Sequence, residues 1–201
     1  MPVMKVKKIH EAGYDAAMYG LSMSYGTDMA RARETALRLA PKDGGHNKFL
    51  EAIYLWLDVR APRYVWQEMD TYRISSKQSE STMHTLANEL KRIAEIHGEE
   101  RRGEAMSQWI KESFEPECYI SQTLFLDLTV HACDGDLISL KANLLEGFLQ
   151  SRLWVMSYKT LRNIILQRRT HRLPHWHMFI EQVLEQVNHV KLLPKGISDD
   201  D

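Results

Sequence analysis

The densest set of polar chemistry in the chain lies at residues 70–81, Asp-Thr-Tyr-Arg-Ile-Ser-Ser-Lys-Gln-Ser-Glu-Ser. Arg73 brings a planar guanidinium and Tyr72 a ring with a hydroxyl. Ser75, Ser76, Ser79 and Ser81 add hydroxyls. Such donors gathered around a turn suit a phosphate or a carboxylate. A solvated loop with Arg73 ion-paired to Glu80 accounts for the same residues. Ser81 reads as a group that acts near a substrate by hydrogen bonding rather than as a nucleophile.

A second basic cluster, Arg168-Arg169-Thr170-His171-Arg172, precedes His175 and His177. Cations at the end of a helix sit well against its dipole, so a solvated terminus explains this run as well as a nucleic-acid contact does. The histidine spacing matches no zinc pattern, nor does that of Cys118 and Cys133, so no metal is expected.

The elements that must position these groups follow from periodicity and punctuation. Residues 4–9 alternate apolar and basic, as an edge strand does. Residues 11–23 are rich in helix formers. Asp28 is placed to cap a helix to Leu39, with Ala32, Ala36, Leu37 and Leu39 inward. After the glycine-rich break at 41–45, residues 53–57 read as a buried strand, and Pro62 opens a short helix carrying Val65, Glu68 and Met69. Residues 74–81 read as a loop.

Leu86, Leu90, Ile93 and Ala94 mark an amphipathic helix, broken at 98–103. Met106, Trp109 and Ile110 resume the pattern until Pro116. Residues 124–130 fit a helix or a strand, and 134–136 a turn. Residues 137–154 read as one long helix with Leu140, Leu144, Leu145, Phe148 and Leu149 inward. Residues 159–167 form another. After Pro174 a last helix uses Phe179, Ile180, Val183, Leu184 and Val187. The tail Ser198-Asp199-Asp200-Asp201 reads as a frayed end. Together these make one α+β domain over 1–201, a mixed sheet with long helices and a mainly helical second half.

Two of these segments resemble flavin-dependent thymidylate synthases. That family carries R-H-R-x-x-S, four residues, then S-x-R, after a strand and an Ala-Pro helix start. Here Thr71-Tyr72-Arg73, Ser76 and Ser81-Thr82-Met83 hold those positions. Arg73 and both serines are kept, while Thr71, Tyr72 and Met83 replace arginine, histidine and arginine. The family's helix with W-x-x-N-x-R-x-L reads here from Trp154 to Leu161, with Ser157 for Asn and Lys159 for Arg. Its N-F-L-x-L-R reads from Asn163 to Arg168. His175-Trp176-His177 falls at the family's Q-W-E, and Ala52, beside a matching Glu51, stands where the family has a flavin-side histidine.

The resemblance spans roughly residues 44–179 and implies a flavin-dependent thymidylate synthase-like fold. It implies FAD held by Tyr72, Arg73, Ser76, Lys159 and Asn163. It also implies a pyrimidine deoxynucleotide held by Glu68, Ser81, Lys141 and Arg168, with Ser81 and Arg168 as the catalytic pair. The implied reaction is methylation of dUMP to dTMP, with methylene-tetrahydrofolate and NADPH as co-substrates, in a homotetramer that holds flavin between subunits. The replaced residues leave two other readings open. One is hydroxymethylation of a pyrimidine nucleotide. The other is a non-catalytic nucleotide-binding or interaction protein on the same scaffold.

Of 201 residues, 44% are hydrophobic and 26% charged, enough apolar material for a packed core. A net charge of -1 argues against coating nucleic acid by bulk charge. No apolar run reaches membrane-spanning length, and two isolated cysteines fit a reducing compartment, so a cytoplasmic protein is expected.

Overall fold

A computed structural model describes residues 2–196. The fold class is the expected α+β, with a small antiparallel sheet. Its strands are β1 (Lys5–Ala12), β2 (Tyr54–Pro62), β3 (Ser76–Ser79) and β4 (Leu149–Ser157), in the order β1-β2-β4-β3. The helices are α1 (Tyr14–Tyr25), α2 (Met29–Leu39), α3 (Arg63–Met69), α4 (Thr85–Ala94), α5 (Glu99–Ser113), α6 (Gln122–Asp134), α7 (Leu137–Ala142), α8 (Tyr158–Arg168) and α9 (Pro174–Gln186). The described residues gather into two compact units. One holds residues 2–3, Arg60–Met69 and Ser79–Ser151. The other holds Met4–Val59, Asp70–Gln78 and residues 152–196.

The first unit is organised by helices. Leu86, Leu90 and Ile93 of α4 join Trp109, Phe125, Leu128 and Leu140 in one buried cluster. Trp109 meets Phe114 and Phe125 edge-on, at 5.4 and 5.7 Å between ring centres, a geometry the aromatic quadrupole favours. The break expected at 98–103 shrinks to Gly98, whose φ of 93° opens α5; Gly103 lies inside that helix. One helical glycine costs about 1 kcal/mol, less than the burial of one large aromatic returns. The hydroxyl of Ser121 accepts from Leu124 N–H and starts α6, which settles residues 124–130 as helix.

The long helix expected over 137–154 is replaced by α7, a turn and β4. Gly147 marks the change. A Cβ there would lie 2.7 Å from Cys118 Sγ, and its carbonyl accepts Glu115 N–H at 2.9 Å. The apolar spacing from Leu140 to Leu149 fits either element, and β4's sheet partners decide between them. Trp154 therefore sits on a strand, and α8 begins only after Ser157, whose hydroxyl accepts from Thr160 N–H.

In the second unit, β1 is an edge strand whose backbone is occupied by side chains. Gln182 accepts from Val6 N–H at 2.8 Å and donates to Met4 C=O at 3.0 Å. Gln186, one turn later on α9, accepts from Lys8 N–H at 2.8 Å and donates to Val6 C=O at 2.9 Å. Two amides at i, i+4 thus stand in for a neighbouring strand and block edge pairing. Asp28 caps α2 as expected, through Arg31 N–H. Leu37, expected inward, is 47% exposed, because the buried face is the one through Ala32, Ala36 and Leu39. Residues 74–81 are not wholly a loop: 76–79 pair as β3, a short polar strand at the other sheet edge. The tail 198–201 lies outside the described residues. Among the described residues no helix is long and apolar enough to cross a membrane.

Candidate functional site

The segment that carries Tyr72 and Arg73 is fixed by bonds from three directions within the second unit. At its start Asp70 holds Arg152, with N–O distances of 3.1 and 3.0 Å to its two oxygens. In its middle Thr160 Oγ1 donates to Ile74 C=O at 3.0 Å. At its end Ser75 Oγ accepts from Trp154 Nε1 at 2.9 Å and donates to Tyr72 C=O at 2.6 Å. Lys77 Nζ completes the corner, donating to Tyr72 C=O and Ser75 Oγ at 3.2 Å each, 3.8 Å from Asp70 and 5.0 Å from the Trp154 ring centre. Burial holds the Lys77 ammonium below its usual range; Asp70 opposes that shift and Arg152 adds to it.

The strand-borne Trp154 makes this bracing available. Its side chain is fully buried with its indole N–H aimed at the loop, and it packs against Phe179 of α9.

Tyr72 and Arg168 come together. Arg168 Nε donates to Tyr72 Oη at 2.8 Å, and that hydroxyl donates to Gln167 Oε1 at 3.1 Å. The guanidinium carbon lies 4.8 Å from the Trp176 ring centre and 5.6 Å from that of Tyr72, within cation–π range of both. The two rings meet edge-on at 5.8 Å. His171 stands edge-on to Trp176 at 6.3 Å. Arg168 is half-buried, and aromatic rings stand on two sides of this cation.

Thr160, Asn163 and Gln167 recur at i, i+3 and i+7 on α8, so they form one strip. The 72–74 segment runs along it, with Ile74 bonded at Thr160 and Tyr72 at Gln167. Asn163 lies between those anchors, exposed, and Arg73 lies between Tyr72 and Ile74, also exposed. Within the first unit, Glu80 Oε1 accepts Ser151 N–H at 3.0 Å. Ser76 is exposed at the start of β3. Lys159 is turned to structure, its ammonium bonded to the buried Asn47 side chain.

Glu68, Ser81 and Lys141 belong to the first unit. Glu68 is half-buried on α3. Ser81 is half-buried, and its carbonyl anchors the start of α4 by accepting Thr85 N–H at 2.9 Å and Thr85 Oγ1 at 2.7 Å. Lys141 is exposed in the last turn of α7.

A second feature of the unit that holds Tyr72 is a groove of about 560 Å³ beside Ala52. Ala16, Gly20, Gly44, Gly45 and Ala52 give it small walls, and His46 and Lys48 supply its nitrogen groups. Its backbone is close-set: Gly13 has φ 96°, and a Cβ there would lie 2.0 Å from Ala52 C=O. The segment before it is pinned by Arg162, 5% exposed, which donates to Asp43 Oδ1 at 3.0 Å and to Pro41 C=O at 2.7 Å. Sequence reasoning singled out neither Trp176 as a wall of Arg168 nor Arg162. The signal for Arg162 was available: a cation between Leu161 and Ile165 falls in an apolar stripe, where it must find buried partners.

By sequence the chain matches no known family model and no curated protein. By structure it is similar to thymidylate synthase X from Helicobacter pylori. A structure of that protein with FAD and dUMP gives a TM-score of 0.73 at 17% identity, over 95% of this chain and 97% of that one. A second, also complexed with FAD and dUMP, gives 0.74 at 16%, over 96% and 100%. The UMP/dUMP methylase PolB from Streptomyces cacaoi, bound with 5-bromo-dUMP, gives 0.60 at 15%, over 92% and 89%. The chain has the fold of these proteins.

Proposed function

We propose that this protein is a flavin-dependent, pyrimidine-nucleotide-modifying enzyme that methylates dUMP to dTMP with methylene-tetrahydrofolate and reduced FAD. The observation that carries the reading is Arg168. At the motif's last position stands a half-buried guanidinium walled by Tyr72 and Trp176 and held at Nε by a phenol. Aromatic walls exclude water from a cation and strengthen its pull on a ligand anion or carbonyl.

The exposed residues fit a flavin. Arg73, Ser76 and Asn163 offer a guanidinium, a hydroxyl and an amide on the loop and on α8, and the groove beside Ala52 leaves room for a planar ring. Reduced FAD, when bound, supplies hydride chemistry that no side chain can, with NADPH as the source of reducing equivalents. The side chains then have binding and electrostatic work. Arg168 draws electron density toward a pyrimidine carbonyl. Ser81 and Glu68 orient the nucleotide by hydrogen bonds. Lys141 holds phosphate by charge, without arginine's bidentate fork. No protein nucleophile is required. A homotetramer with flavin between subunits belongs to the same reading.

A second reading, nucleotide binding without catalysis, is favoured by two observations. Ala52 stands where the resemblance puts a histidine, and Lys159 is bonded to Asn47 rather than presented to a ligand. Release of tritium from 5-tritiated dUMP, in the presence of methylene-tetrahydrofolate, NADPH and FAD, separates the two. Release above the enzyme-free control supports the enzyme. Binding without release leaves the scaffold reading. The mass of the product distinguishes a methyl from a hydroxymethyl group.

A further inference from the structure

We propose that His189 is an acid-released latch: in its neutral form it fastens the chain after α9 to the corner between β1 and α1, and protonation loosens that corner. The same helix, α1, walls the groove beside Ala52 through Ala16, Ala17 and Gly20, so the latch governs how rigid that wall is.

The latch is built around Glu11, a carboxylate whose side chain is 3% exposed. Both of its oxygens are served. Oε1 accepts from the hydroxyl of the fully buried Tyr158 at 2.7 Å. Oε2 accepts Asn188 N–H at 2.9 Å and lies 3.4 Å from Lys8 Nζ, which also donates to Asn188 Oδ1 at 2.6 Å. His189 follows. Its N–H donates to Tyr158 Oη at 3.4 Å, and its ring stacks on Tyr14 with centres 3.6 Å apart and planes 9° from parallel. Its Nε2 lies 3.9 Å from Glu11 Oε1, too far for a hydrogen bond. Thus β1, α1, α8 and the chain after α9 meet at one point within the second unit. The corner has little slack, because Gly13, between Glu11 and Tyr14, sits where a Cβ would lie 2.0 Å from Ala52 C=O.

Burial is the largest influence on the His189 imidazole and holds it below its ordinary 6.5; Glu11 and Asp15 oppose that shift and Lys8 adds to it. The face of Tyr14 also favours a cation. Glu11 has little to offer a second cation, since Lys8 already stands beside it. Arg33, 3.3 Å from Asp15, draws on the other carboxylate. A cleft of about 320 Å³, whose lining includes Tyr14, Arg33, Glu34, His189 and Lys191, gives protons a way in. The latch is therefore at full strength above pH 6.5. Below that pH the opened form takes up a proton that the closed form resists, and closure weakens as pH falls through the lowered value.

The experiment follows backbone amide exchange in the full chain at about pH 7.5 and about pH 5.5, corrected for the intrinsic pH dependence of exchange. The parent is compared with His189→Gln, whose side chain is neutral at both. In the parent, protection over residues 14–20 should fall at least about threefold on acidification, relative to the interior of α9. His189→Gln should show no such fall. An unchanged parent, or equal falls in the two proteins, would overturn the proposal.

A second measurement guards against a variant that does not fold. The His189 imidazole resonances of the parent, followed by NMR, should titrate with a midpoint below 6.5. A midpoint at or above that value would mean that acid tightens the corner, and would overturn the proposal without any substitution.

Discussion

Two parts of the same compact unit are held in different ways. Along 70–77 the side chains are woven in. Tyr72 bonds Arg168 and Gln167, and the surrounding loop is tied by Ser75, Lys77, Asp70, Arg152, Trp154 and Thr160. Beside Ala52 there is space: a groove with small residues at Ala16, Gly20, Gly44, Gly45 and Ala52, near a backbone that passes tightly at Gly13. One region is rigid through its side chains and the other through its main chain. The difference teaches where tolerance should lie. Side-chain truncation should be felt throughout the loop; in the groove, sensitivity should be confined to the backbone at Gly13 and to the buried Arg162 that pins the segment before it.

The largest expected effect tests the groove. Gly13→Ala puts a Cβ 2.0 Å from Ala52 C=O at a backbone φ of 96°. Left-handed strain and the clash together should destabilise by about 3 kcal/mol or more, measured as a shift in the urea midpoint. A neutral result would mean that the corner at Gly13 is soft and the contrast false.

Next comes the pin of the groove wall. Arg162→Met keeps the aliphatic length but removes the bonds to Asp43 and Pro41 C=O. A loss of about 2 kcal/mol is expected, with faster amide exchange at Gly44 and Gly45. Unchanged exchange there would detach Arg162 from the groove.

A milder change probes the loop. Trp154→Phe retains a buried ring and deletes the N–H that Ser75 accepts. The cost should be about 1–2 kcal/mol, part of it from the smaller ring, and Ser75→Ala in that background should cost less than it does alone.

The smallest effect is electrostatic. Burial lowers the Lys77 pKa below its ordinary 10.5. The unfolded chain then holds this proton more tightly than the folded one, which penalises the folded state at neutral pH. The penalty fades as pH rises through the lowered value toward 10.5. Relative to Lys77→Met, the parent should therefore gain stability across that alkaline window. A difference independent of pH would contradict the burial of Lys77.

Much of this molecule was legible before its fold was known. The cap at Asp28, the buried strand after residue 52 and the helix start at Pro62 follow from local chemistry. Tyr72, Arg73, Asn163 and Arg168 were marked by motif position, and Tyr72 and Arg168 meet directly. The relay among Trp154, Ser75 and Lys77 was not legible, because it depends on Trp154 standing on a strand. Residues 137–154 carry apolar spacing that suits a helix, and only the backbone contact of Gly147 with Cys118, together with the sheet partners of β4, overrules it. Trp176 was marked by the resemblance, but its cation–π contact joins the ends of two helices, which no local pattern encodes.

The central proposal, that this scaffold seats a flavin, is tested most directly by the visible absorption spectrum of the purified protein after equilibration with FAD and removal of free ligand. The account predicts a protein-bound flavin band that weakens when Arg73 is replaced by Ala. FAD that separates completely from the parent protein, at every condition tried with and without dUMP, would contradict it.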